Sequence, residues 1–243
     1  MQHVECEKWV STLNDRGYMT LSIDPFTQKF LDYCESHSGV HVFEGGAAYG
    51  IATHLALKRG AIVTANDGDP RHLDLLYEHT PQEFRSALKL SPGMLPHDLD
   101  FPKDSFDVIY SSRMMHFLTG EEVEICMSKF FNWLKEGGKI FLVVESPYLG
   151  ACYSAFILTY EERKKQGHPW PGLIEDTTSY KSMRYNNIPR LLNFFDTDIM
   201  RRISKNCGLI VEECAYINRT DFPLEVRHDG RESVGLVATK PYA

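Results

Sequence analysis

The stretch Val40-His41-Val42-Phe43-Glu44-Gly45-Gly46-Ala47-Ala48-Tyr49-Gly50 decides the fold of this chain. Its first residues are largely apolar and predict a buried strand, and after the glycines a helical pattern continues through Leu57. A glycine-rich turn that joins a strand to a helix places backbone N–H groups around a ligand at the carboxyl end of the strand. The sequence therefore predicts an α/β fold with a ligand site at this turn.

The spacing of the small residues in the turn is compatible with two kinds of ligand. Gly45-x-Ala47-x-x-Gly50 loosely imitates a dinucleotide fingerprint, whereas the pattern that starts at Glu44 and places a small residue at every second position imitates the motif of methyl-donor enzymes. A carboxylate at the strand end repels a pyrophosphate but attracts the ammonium group of an amino-acid ligand. Glu44 therefore favours the second kind of ligand, and S-adenosylmethionine carries such an ammonium group.

Strands and helices continue to alternate after the turn. The apolar segments that predict strands are 61–65, a short piece near Met94 and Leu95, 106–110 and 139–144. Between the last two of these, Thr119 and Glu122 have the spacing of a capping box at the start of a helix. This order predicts a Rossmann-like, doubly wound α/β sheet that is mostly parallel, with helices on both faces.

The two ends of the chain and one insertion add to this sheet. Two N-terminal helices are predicted before residue 39, and the clearer one begins at Asp24-Pro25. Residues 147–192 interrupt the alternation with prolines and aromatic residues, which predicts an insertion after the fifth strand that is too short for its own core. After a helix over 197–207, the strands 209–211 and 233–238 are joined without a crossover helix, so they predict an antiparallel C-terminal hairpin.

These patterns predict one domain over residues 1–243 that has four parts. The parts are an N-terminal helical cap over 1–38, a cofactor-binding core over 39–146, a lid over 147–192, and a C-terminal helix and hairpin over 193–243.

Composition and charge limit the classes of partner. The 243 residues carry a net charge of −7, and no basic run is longer than Arg163-Lys164-Lys165, so we expect no nucleic-acid or membrane partner. The six cysteines show no C-x-x-C spacing and the histidines no metal-ligand spacing, which predicts no disulfide framework and no metal. The N-terminus lacks the layout of a signal peptide, so we expect a cytoplasmic protein. The sequence allows a homodimer without specifying one.

The glycine turn and several later segments resemble one known family. The turn 44–50, the acid Asp67, the segment 97–109 and the segments 111–118 and 134–139 follow the motif order of class I S-adenosylmethionine-dependent methyltransferases that act on small molecules. Ala48 stands where this family usually has its middle glycine, and Glu136 replaces the usual proline. The resemblance covers residues 38–146 well and extends more weakly to residue 240.

The resemblance implies S-adenosylmethionine as the cofactor and S-adenosylhomocysteine as the product. It implies that Asp67 accepts hydrogen bonds from the ribose hydroxyls and that Asp98 and Leu99 flank the adenine. The residues implied for cofactor binding are Glu44, Gly45, Gly46, Ala48, Tyr49, Gly50, Asp67, Gly68, Asp98, Leu99, Ser111 and Ser112.

Residues after the fourth and fifth strands are candidates for contact with the methyl acceptor. His116 is a candidate ligand contact or proton acceptor, and Glu145 is a further candidate base. Arg113 either holds an anionic group or pairs with a surface acid, and the aromatic residues of the insertion form either a lid core or a substrate cage. The predicted substrate contacts are Arg113, Tyr148, Tyr153 and His168, of which His168 is also a candidate base.

The predicted function is methyl transfer from S-adenosylmethionine to an oxygen or nitrogen atom of a small molecule. Tyr110-Ser111-Ser112-Arg113 lacks the Asn/Asp-Pro-Pro-aromatic motif of enzymes that methylate the amino groups of adenine or glutamine. Two alternatives stay open. One is an NAD(P)-dependent oxidoreductase that uses Gly45, Ala47 and Gly50, and the other is a non-catalytic binding protein that keeps the fold.

Overall fold

Eleven strands and six α-helices are present in the computed structural model, which describes residues 9–150, 154–180 and 189–242. In chain order they are β1 (Trp9–Ser11), β2 (Tyr18–Thr20), α1 (Pro25–Ser36), β3 (His41–Gly45), α2 (Ile51–Lys58), β4 (Ile62–Asp67), α3 (Pro70–Glu78), β5 (Leu88–Pro92), β6 (Phe106–Ser112), α4 (Gly120–Trp133), β7 (Leu134–Glu145), α5 (Ser154–Lys165), β8 (Leu173–Ile174), β9 (Leu192–Asn193), α6 (Thr197–Asn206), β10 (Ile210–Ile217) and β11 (Ser233–Thr239).

Seven of these strands form the central sheet, in the order β10-β11-β7-β6-β3-β4-β5. The strands β7, β6, β3, β4 and β5 are parallel, and β11 pairs antiparallel with both β7 and β10. The sequence-based prediction of a doubly wound, mostly parallel sheet with an antiparallel C-terminal hairpin is therefore confirmed. β4 pairs with one side of β3 and β6 pairs with the other, so the direction in which strands are added reverses at β3. A ligand crevice is expected at the carboxyl end of the strand where this reversal occurs.

Apolar side chains fill both faces of the sheet. One cluster packs α4 and α6 against the sheet and includes Phe43, Phe130 and Trp133. The other packs α1, α2 and α3 against the opposite face and includes Phe30 and Leu76. Burial of each such side chain stabilises the fold by about 1.5–3 kcal/mol, which explains why the strands are nearly continuous apolar runs.

Two helix starts follow the capping signals in the sequence. The carboxylate of Asp24 accepts hydrogen bonds from the backbone N–H groups of Phe26 and Thr27, at 2.9 and 3.0 Å, ahead of α1. Thr119 and Glu122 form the predicted capping box at the start of α4. Both caps depend on neighbours within four positions, so the sequence was sufficient to predict them.

The N-terminal part differs from its prediction. The clearer of the two predicted helices is α1, which begins at Pro25 as expected, but the described residues before it form the antiparallel hairpin β1–β2 instead of a second helix. The turn of the hairpin contains Asp15 and Gly17, both with positive φ, and the Thr12 N–H donates to the Gly17 carbonyl at 3.1 Å. Strands of three residues are too short to show an alternating pattern, which is why the sequence did not reveal them.

The predicted bounds of two further strands differ from the observed ones. The edge strand β5 covers 88–92 rather than the neighbourhood of Met94 and Leu95. None of its residues is fully buried, so it lacks the continuous apolar run by which the central strands were predicted. At the opposite edge, β10 extends to Ile217, well beyond the predicted 209–211, and its side chains alternate between exposed and more buried positions.

The insertion after β7 contains a helix that the sequence did not predict. The helix α5 packs Phe156 and Tyr160 into a small apolar cluster with Leu192. The cluster is completed by Phe222 and Val226, which lie between β10 and β11. The described part of the insertion therefore shares its core with the loop that precedes the last strand.

None of the helices within 9–150, 154–180 and 189–242 has both the length and the apolar composition needed to cross a bilayer.

Candidate active site

A large cavity opens at the carboxyl ends of β3, β4, β6 and β7. We call one side of it the glycine-turn half, which is lined by Glu44, Gly46, Ala47, Ala48, Asn66, Asp67, Gly68, Gly93, Met94 and Leu95. We call the other side the arginine half, which is lined by Trp9, Tyr18, Arg113, His116, Phe117, Glu145, Leu149, Leu192, Phe194, Arg219, Phe222 and Val226.

The glycine turn is attached to the neighbouring strand and requires its glycines. The N–H groups of Gly46 and Ala47 donate to the Asn66 carbonyl at 3.0 and 2.7 Å. Gly46 has φ +77°, and a Cβ there would lie 2.7 Å from the Cβ of Met114. Gly50 has φ +78° at the start of α2 and leaves no room for a side chain. These glycines give the turn its close packing and its left-handed backbone.

Ala48 also has a left-handed backbone, with φ +46°. An alanine in this region costs about 1–2 kcal/mol relative to a right-handed conformation. Its N–H donates to the Asp67 carboxylate at 2.9 Å, which holds the turn in place. The departure from the family motif at this position therefore introduces backbone strain beside the cavity.

Glu44 is a buried carboxylate at the end of β3. Only 4% of its surface is exposed, and it accepts a hydrogen bond from the Thr53 hydroxyl. Burial raises the pKa of Glu44 to about 7, although the Thr53 hydroxyl opposes the rise and Asp67 adds to it. In the part of the chain that the structure describes, no lysine or arginine forms an ion pair with Glu44. The site thus presents a carboxylate for which a ligand cation is a suitable partner.

Asp67 is held by three contacts from the protein. It accepts hydrogen bonds from the N–H of Ala48 and the N–H of Asp69, both at 2.9 Å, and its Oδ1 lies 3.0 Å from Nδ1 of His72. Nε2 of His72 accepts the Leu13 N–H at 3.0 Å, so the ring donates from Nδ1 to Asp67. A carboxylate has about four acceptor positions, which leaves room at Asp67 for about one more donor.

The residues predicted to flank an adenine do not line the cavity. Asp98 is exposed and accepts the Met94 N–H at 2.9 Å, while Leu99 is buried in the core on the α4 side. The cavity wall in this region consists of Gly93 and the two residues after it. The sequence identified the right turn but not which of its residues face the cavity.

Asn66 is a site residue that the sequence analysis missed. Its side-chain amide donates to the carbonyls of Ser91 and Gly93, both at 2.8 Å, and so fixes the end of β5 against the end of β4. The signal available in the sequence was an asparagine directly before Asp67, at the end of a predicted strand.

The other predicted cofactor residues divide between the cavity wall and its support. Gly68 and Ser112 line the cavity, whereas Gly45, Tyr49, Gly50 and Ser111 do not. The Ser111 hydroxyl donates to the Gly45 carbonyl at 2.8 Å and joins β6 to β3. The Tyr49 hydroxyl donates to the Ser11 carbonyl at 2.8 Å and holds the N-terminal hairpin.

Arg113 occupies a strained position in the arginine half. Its φ is +58°, its N–H donates to the Val143 carbonyl at 2.7 Å, and its Nε donates to Glu145 at 2.5 Å. Its guanidinium lies 5.4 Å from the ring centre of Trp9 and 5.3 Å from that of Phe222. Strain of this kind persists only where the surroundings enforce it, and it is common at functional sites.

Arg219 is the second arginine of this half, and the sequence analysis did not identify it. Only 1% of its surface is exposed, and it binds Asp221 through Nε at 3.0 Å and Nη2 at 2.9 Å. Burial by itself raises the pKa of Glu145, but the charges of Arg113 and Arg219 outweigh that effect and hold this pKa below its usual range. Arg219 lies in an irregular loop, so no pattern in the sequence indicated its burial.

His116 is buried in the arginine half, with 4% of its surface exposed. Burial lowers the pKa of His116 to about 4; the charge of Arg113 lowers it further, and Glu145 partly opposes both. The imidazole is therefore neutral near pH 7, and its Nδ1 has no hydrogen-bond partner among the described residues.

Three of the predicted substrate contacts do not reach the cavity or cannot be placed. Tyr148 is buried in the insertion, where its hydroxyl donates to Glu161 at 2.5 Å and the Arg231 guanidinium covers its ring. His168 is exposed just after α5 and does not line the cavity. Tyr153 lies outside the described residues. The structure thus brings Arg113, His116 and Glu145 together and leaves Tyr148 and His168 apart from them.

The β1–β2 hairpin spans both halves of the cavity. On the arginine side, Nε1 of Trp9 donates to the Asp221 carbonyl at 3.2 Å, and the Thr20 hydroxyl donates to the Asp221 carboxylate at 3.1 Å. On the glycine-turn side, Nη2 of Arg71 donates to the Leu13 carbonyl at 2.7 Å. The hairpin thereby forms an outer wall of the cavity.

Within 9–150, 154–180 and 189–242, no group of three or more His, Cys, Asp or Glu side chains is placed to hold a metal ion.

Comparison with known proteins relates part of this chain to a protein family. Residues 43–142 match a family described as "Methyltransferase domain". Phosphoethanolamine N-methyltransferase 3 of Arabidopsis thaliana is 29% identical over 104 residues, and phosphoethanolamine N-methyltransferase 1 of Triticum aestivum is 27% identical over 107 residues. These alignments cover 42% and 44% of this chain but only 21% and 22% of the relatives. The chain therefore aligns with about a fifth of the length of these curated relatives.

Solved structures share the fold over most of the chain. An S-adenosylmethionine-dependent methyltransferase from Mesorhizobium loti has a TM-score of 0.62 and 15% identity, with coverage of 88% of this chain and 97% of that one. The 1,6-didemethyltoxoflavin-N1-methyltransferase of Burkholderia thailandensis, solved with 1,6-didemethyltoxoflavin and S-adenosylhomocysteine, has a TM-score of 0.59 and 13% identity, with coverage of 90% and 80%. Residues 43–142 of this chain are therefore similar to a methyltransferase domain, and the chain shares the fold of S-adenosylmethionine-dependent methyltransferases, including the sheet order and the glycine turn at β3.

Proposed function

We propose that this protein transfers a methyl group from S-adenosylmethionine to a nitrogen or oxygen atom of a small molecule. The observation that carries the proposal is Glu44, a buried carboxylate that faces the cavity without a cationic partner in the described part of the chain. The cofactor has an ammonium group that supplies this charge. A pyrophosphate has the opposite charge, so Glu44 also disfavours the alternative of a dinucleotide cofactor.

The glycine-turn half has the groups that the cofactor needs. Glu44 would bind the ammonium group, and Asp67, with about one free acceptor position, would bind a ribose hydroxyl. The wall at Gly93, Met94 and Leu95 would receive the adenine. These residues replace Asp98 and Leu99 in the adenine-binding role that the resemblance implied.

The arginine half adjoins this region and is proposed as the acceptor site. When bound, the cofactor supplies an electrophilic methyl group on a positively charged sulfur, which keeps the bonding electrons when the methyl group moves to the acceptor. The protein must then orient the acceptor, exclude water and receive a proton where the acceptor loses one. The β1–β2 hairpin covers the cavity, and His116 is the neutral group that can accept a hydrogen bond from the acceptor.

The comparisons support a small-molecule acceptor. Phosphoethanolamine and 1,6-didemethyltoxoflavin, named in two of the similar proteins, are small molecules methylated on nitrogen. They differ widely in charge and shape, so they support the class of reaction rather than one acceptor.

Titration calorimetry with S-adenosylmethionine, S-adenosylhomocysteine and NADH tests the cofactor assignment. We expect micromolar binding of the two adenosyl ligands and a loss of at least tenfold in their affinity in Glu44→Gln, because one charge-assisted contact is removed. Glu136→Gln, at an exposed position before the Gly137 turn, is the matched control and should bind like the wild type.

Tighter binding of NADH than of the adenosyl ligands, or equal affinities in the wild type and Glu44→Gln, would contradict the proposal. Binding of the adenosyl ligands without methylation of any acceptor in a broad screen would favour the non-catalytic alternative.

A further inference from the structure

The two arginines of the arginine half differ in how completely their guanidinium groups are paired. Arg219 donates to both oxygens of Asp221, through Nε at 3.0 Å and Nη2 at 2.9 Å, and its Nη1 lies 3.5 Å from the Ser233 hydroxyl. Arg113 donates only through Nε, to one oxygen of Glu145. Its Nη1 and Nη2 have no hydrogen-bond acceptor in the part of the chain that the structure describes. Arg113 therefore keeps two donor groups for a further partner.

The unpaired edge of Arg113 belongs to the cavity. Arg113 lines the cavity, and 17% of its side-chain surface is exposed, compared with 1% for Arg219. Neither of its Nη atoms is among the fully buried polar atoms that lack a partner within the described residues. A ligand in the cavity can therefore contact this edge, whereas Nε is already bonded to Glu145.

Arg113 is also held in one orientation before any ligand binds. Its backbone is fixed at φ +58°, and its Nε bonds to a carboxylate, Glu145, whose other oxygen accepts the Ser233 hydroxyl at 2.9 Å. Its guanidinium lies against two aromatic rings, 5.4 Å from the ring centre of Trp9 and 5.3 Å from that of Phe222. A guanidinium that is fixed in advance loses little conformational freedom when it binds an anion.

The surroundings of this edge favour a carboxylate over a phosphate. Two parallel N–H donors of a guanidinium match the two oxygens of a carboxylate. A phosphate monoester carries a charge of about −1.5 to −2 and gains from a second cation. Among the described residues of the arginine half, the only other lysine or arginine is Arg219, whose charge is already paired. The nearby wall includes apolar side chains, among them Leu149, Leu192 and Val226.

We infer that the Nη edge of Arg113 binds the carboxylate of an acceptor whose remaining body is apolar. This inference rests on the proposed function, since it names the acceptor class for the same cavity. Arg113 is a binding residue in this account. It holds the acceptor and exchanges no proton, because a guanidinium stays charged at physiological pH.

Calorimetry on the protein saturated with S-adenosylhomocysteine tests the inference without turnover. The probes are 2-naphthoate, its neutral analogue 2-naphthamide, and 2-naphthyl phosphate. We expect 2-naphthoate to bind at least tenfold more tightly than 2-naphthamide, because hydrogen bonds between two charged groups are stronger than those to a neutral amide. We expect 2-naphthyl phosphate to bind more weakly than 2-naphthoate. This comparison needs no variant, so it does not depend on the folding of one.

Two arginine variants connect the preference to the proposed edge. Arg113→Lys keeps a positive charge beside Glu145 but lacks the paired Nη donors, so the preference for 2-naphthoate should fall to about threefold or less. Its affinity for S-adenosylhomocysteine should equal that of the wild type. Arg16→Gln is the control, because it removes an exposed arginine that also lines the cavity, in the turn of the β1–β2 hairpin. It should keep the full preference.

Failure of the wild type to bind S-adenosylhomocysteine would refute the proposed function itself. If that ligand binds, the acceptor inference alone is overturned by absence of 2-naphthoate binding, by equal affinities for 2-naphthoate and 2-naphthamide, or by tighter binding of 2-naphthyl phosphate. An unchanged preference in Arg113→Lys, or its loss in Arg16→Gln, would also overturn it. A tenfold loss of S-adenosylhomocysteine affinity in Arg113→Lys would assign this edge to the carboxylate of the cofactor and likewise overturn the inference.

Discussion

Under the proposed function, the buried carboxyl of Glu44 would link cofactor binding to pH. Its pKa of about 7 means that the carboxyl is largely protonated at pH 6 and half ionised at pH 7. Only the ionised form attracts an ammonium group, so binding of the proposed cofactor would require loss of this proton. An ordinary exposed carboxyl stays ionised throughout this range and would give no such pH dependence.

We therefore expect the affinity for S-adenosylmethionine to fall about fivefold between pH 7 and pH 6, the range in which the ionised fraction of Glu44 drops. Calorimetry at both pH values measures this change. In Glu44→Gln the affinity should be weak and nearly independent of pH over the same interval. A fivefold decrease in the variant as well would assign the titration to another group.

The same group affects the stability of the free protein. In the unfolded chain Glu44 loses its proton near the ordinary pKa of 4.5, whereas in the folded protein it keeps the proton up to its pKa of about 7. The contribution of this group to the free energy of unfolding therefore falls as the pH rises through that window. The full effect is on the order of 3 kcal/mol. Chemical unfolding of the wild type and Glu44→Gln at pH 5 and pH 8 should show the variant gaining relative to the wild type at the higher pH. An equal difference at both pH values would contradict the raised pKa.

Ala48 is a second position where one residue has a measurable effect. Ala48→Gly removes the left-handed strain, although glycine is more flexible in the unfolded chain, so a net gain of about 0.5 kcal/mol in unfolding free energy is expected. For a chain of this size the gain corresponds to a rise of about 1–2 °C in Tm. Ala47→Gly, at the buried neighbouring position, should lower Tm because no such strain is relieved there. A lower Tm for Ala48→Gly would contradict this account.

At the scale of elements, the β1–β2 hairpin is a wall of the cavity that lies outside the central sheet. It is a two-stranded sheet outside the central one, and two short strands have little stability of their own. Side chains at both ends of the cavity hold it, among them Tyr49 and His72 on the glycine-turn side and Asp221 on the other. The hairpin can therefore open locally while the central sheet stays folded.

Tyr49→Phe tests this attachment because it removes only the hydroxyl that donates to Ser11. Loss of one hydrogen bond of about 1 kcal/mol should make opening of the hairpin about fivefold more frequent. Hydrogen exchange should accelerate over residues 9–20 and stay unchanged in β3 and β6. Tyr77→Phe changes an exposed tyrosine that does not line the cavity and serves as the control. Unchanged exchange over 9–20 would show that this hydroxyl does not hold the hairpin.

At the scale of the whole molecule, the arginine half joins parts of the chain that are far apart in sequence. Arg113 follows β6, Glu145 ends β7, and Arg219 comes from the loop before β11. Ser233, at the start of β11, contributes its hydroxyl to Glu145. The network therefore forms only when the sheet is fully assembled, and its charges act as one unit.

A double-mutant cycle measures this coupling. Arg113→Gln and Glu145→Gln each remove one partner of a buried ion pair, and each should lower the unfolding free energy by about 3–5 kcal/mol. The double variant should lose less than the sum, by about 1 kcal/mol or more. The exposed pair Lys29–Glu213 is the control cycle and should show a coupling below about 1 kcal/mol. Additive losses for Arg113 and Glu145 would show that the two charges do not depend on each other.

The sequence by itself determined the features that depend on neighbours along the chain. The strand, turn and helix at residues 41–58, the caps at Asp24 and Thr119, and the antiparallel final strand were all predicted and observed. The sequence also selected Glu44 and Asp67, because a strand that ends in an acid presents that acid at the ligand side of a parallel sheet. These patterns involve a few consecutive residues, so they are visible without coordinates.

Only the tertiary structure decided which side chains meet in the cavity. Nε1 of Trp9 donates to the carbonyl of Asp221, 212 positions away, and the Thr20 hydroxyl reaches the same residue from 201 positions away. Such contacts form when the sheet brings distant loops to one edge, and no local spacing encodes them. The burial of Arg219, the lack of a partner for Nδ1 of His116 among the described residues and the outward position of Asp98 follow from that assembly. The sequence therefore indicated Glu44 and Asp67 in the glycine-turn half and Arg113, His116 and Glu145 in the arginine half, whereas the way distant loops enclose these residues depended on long-range packing.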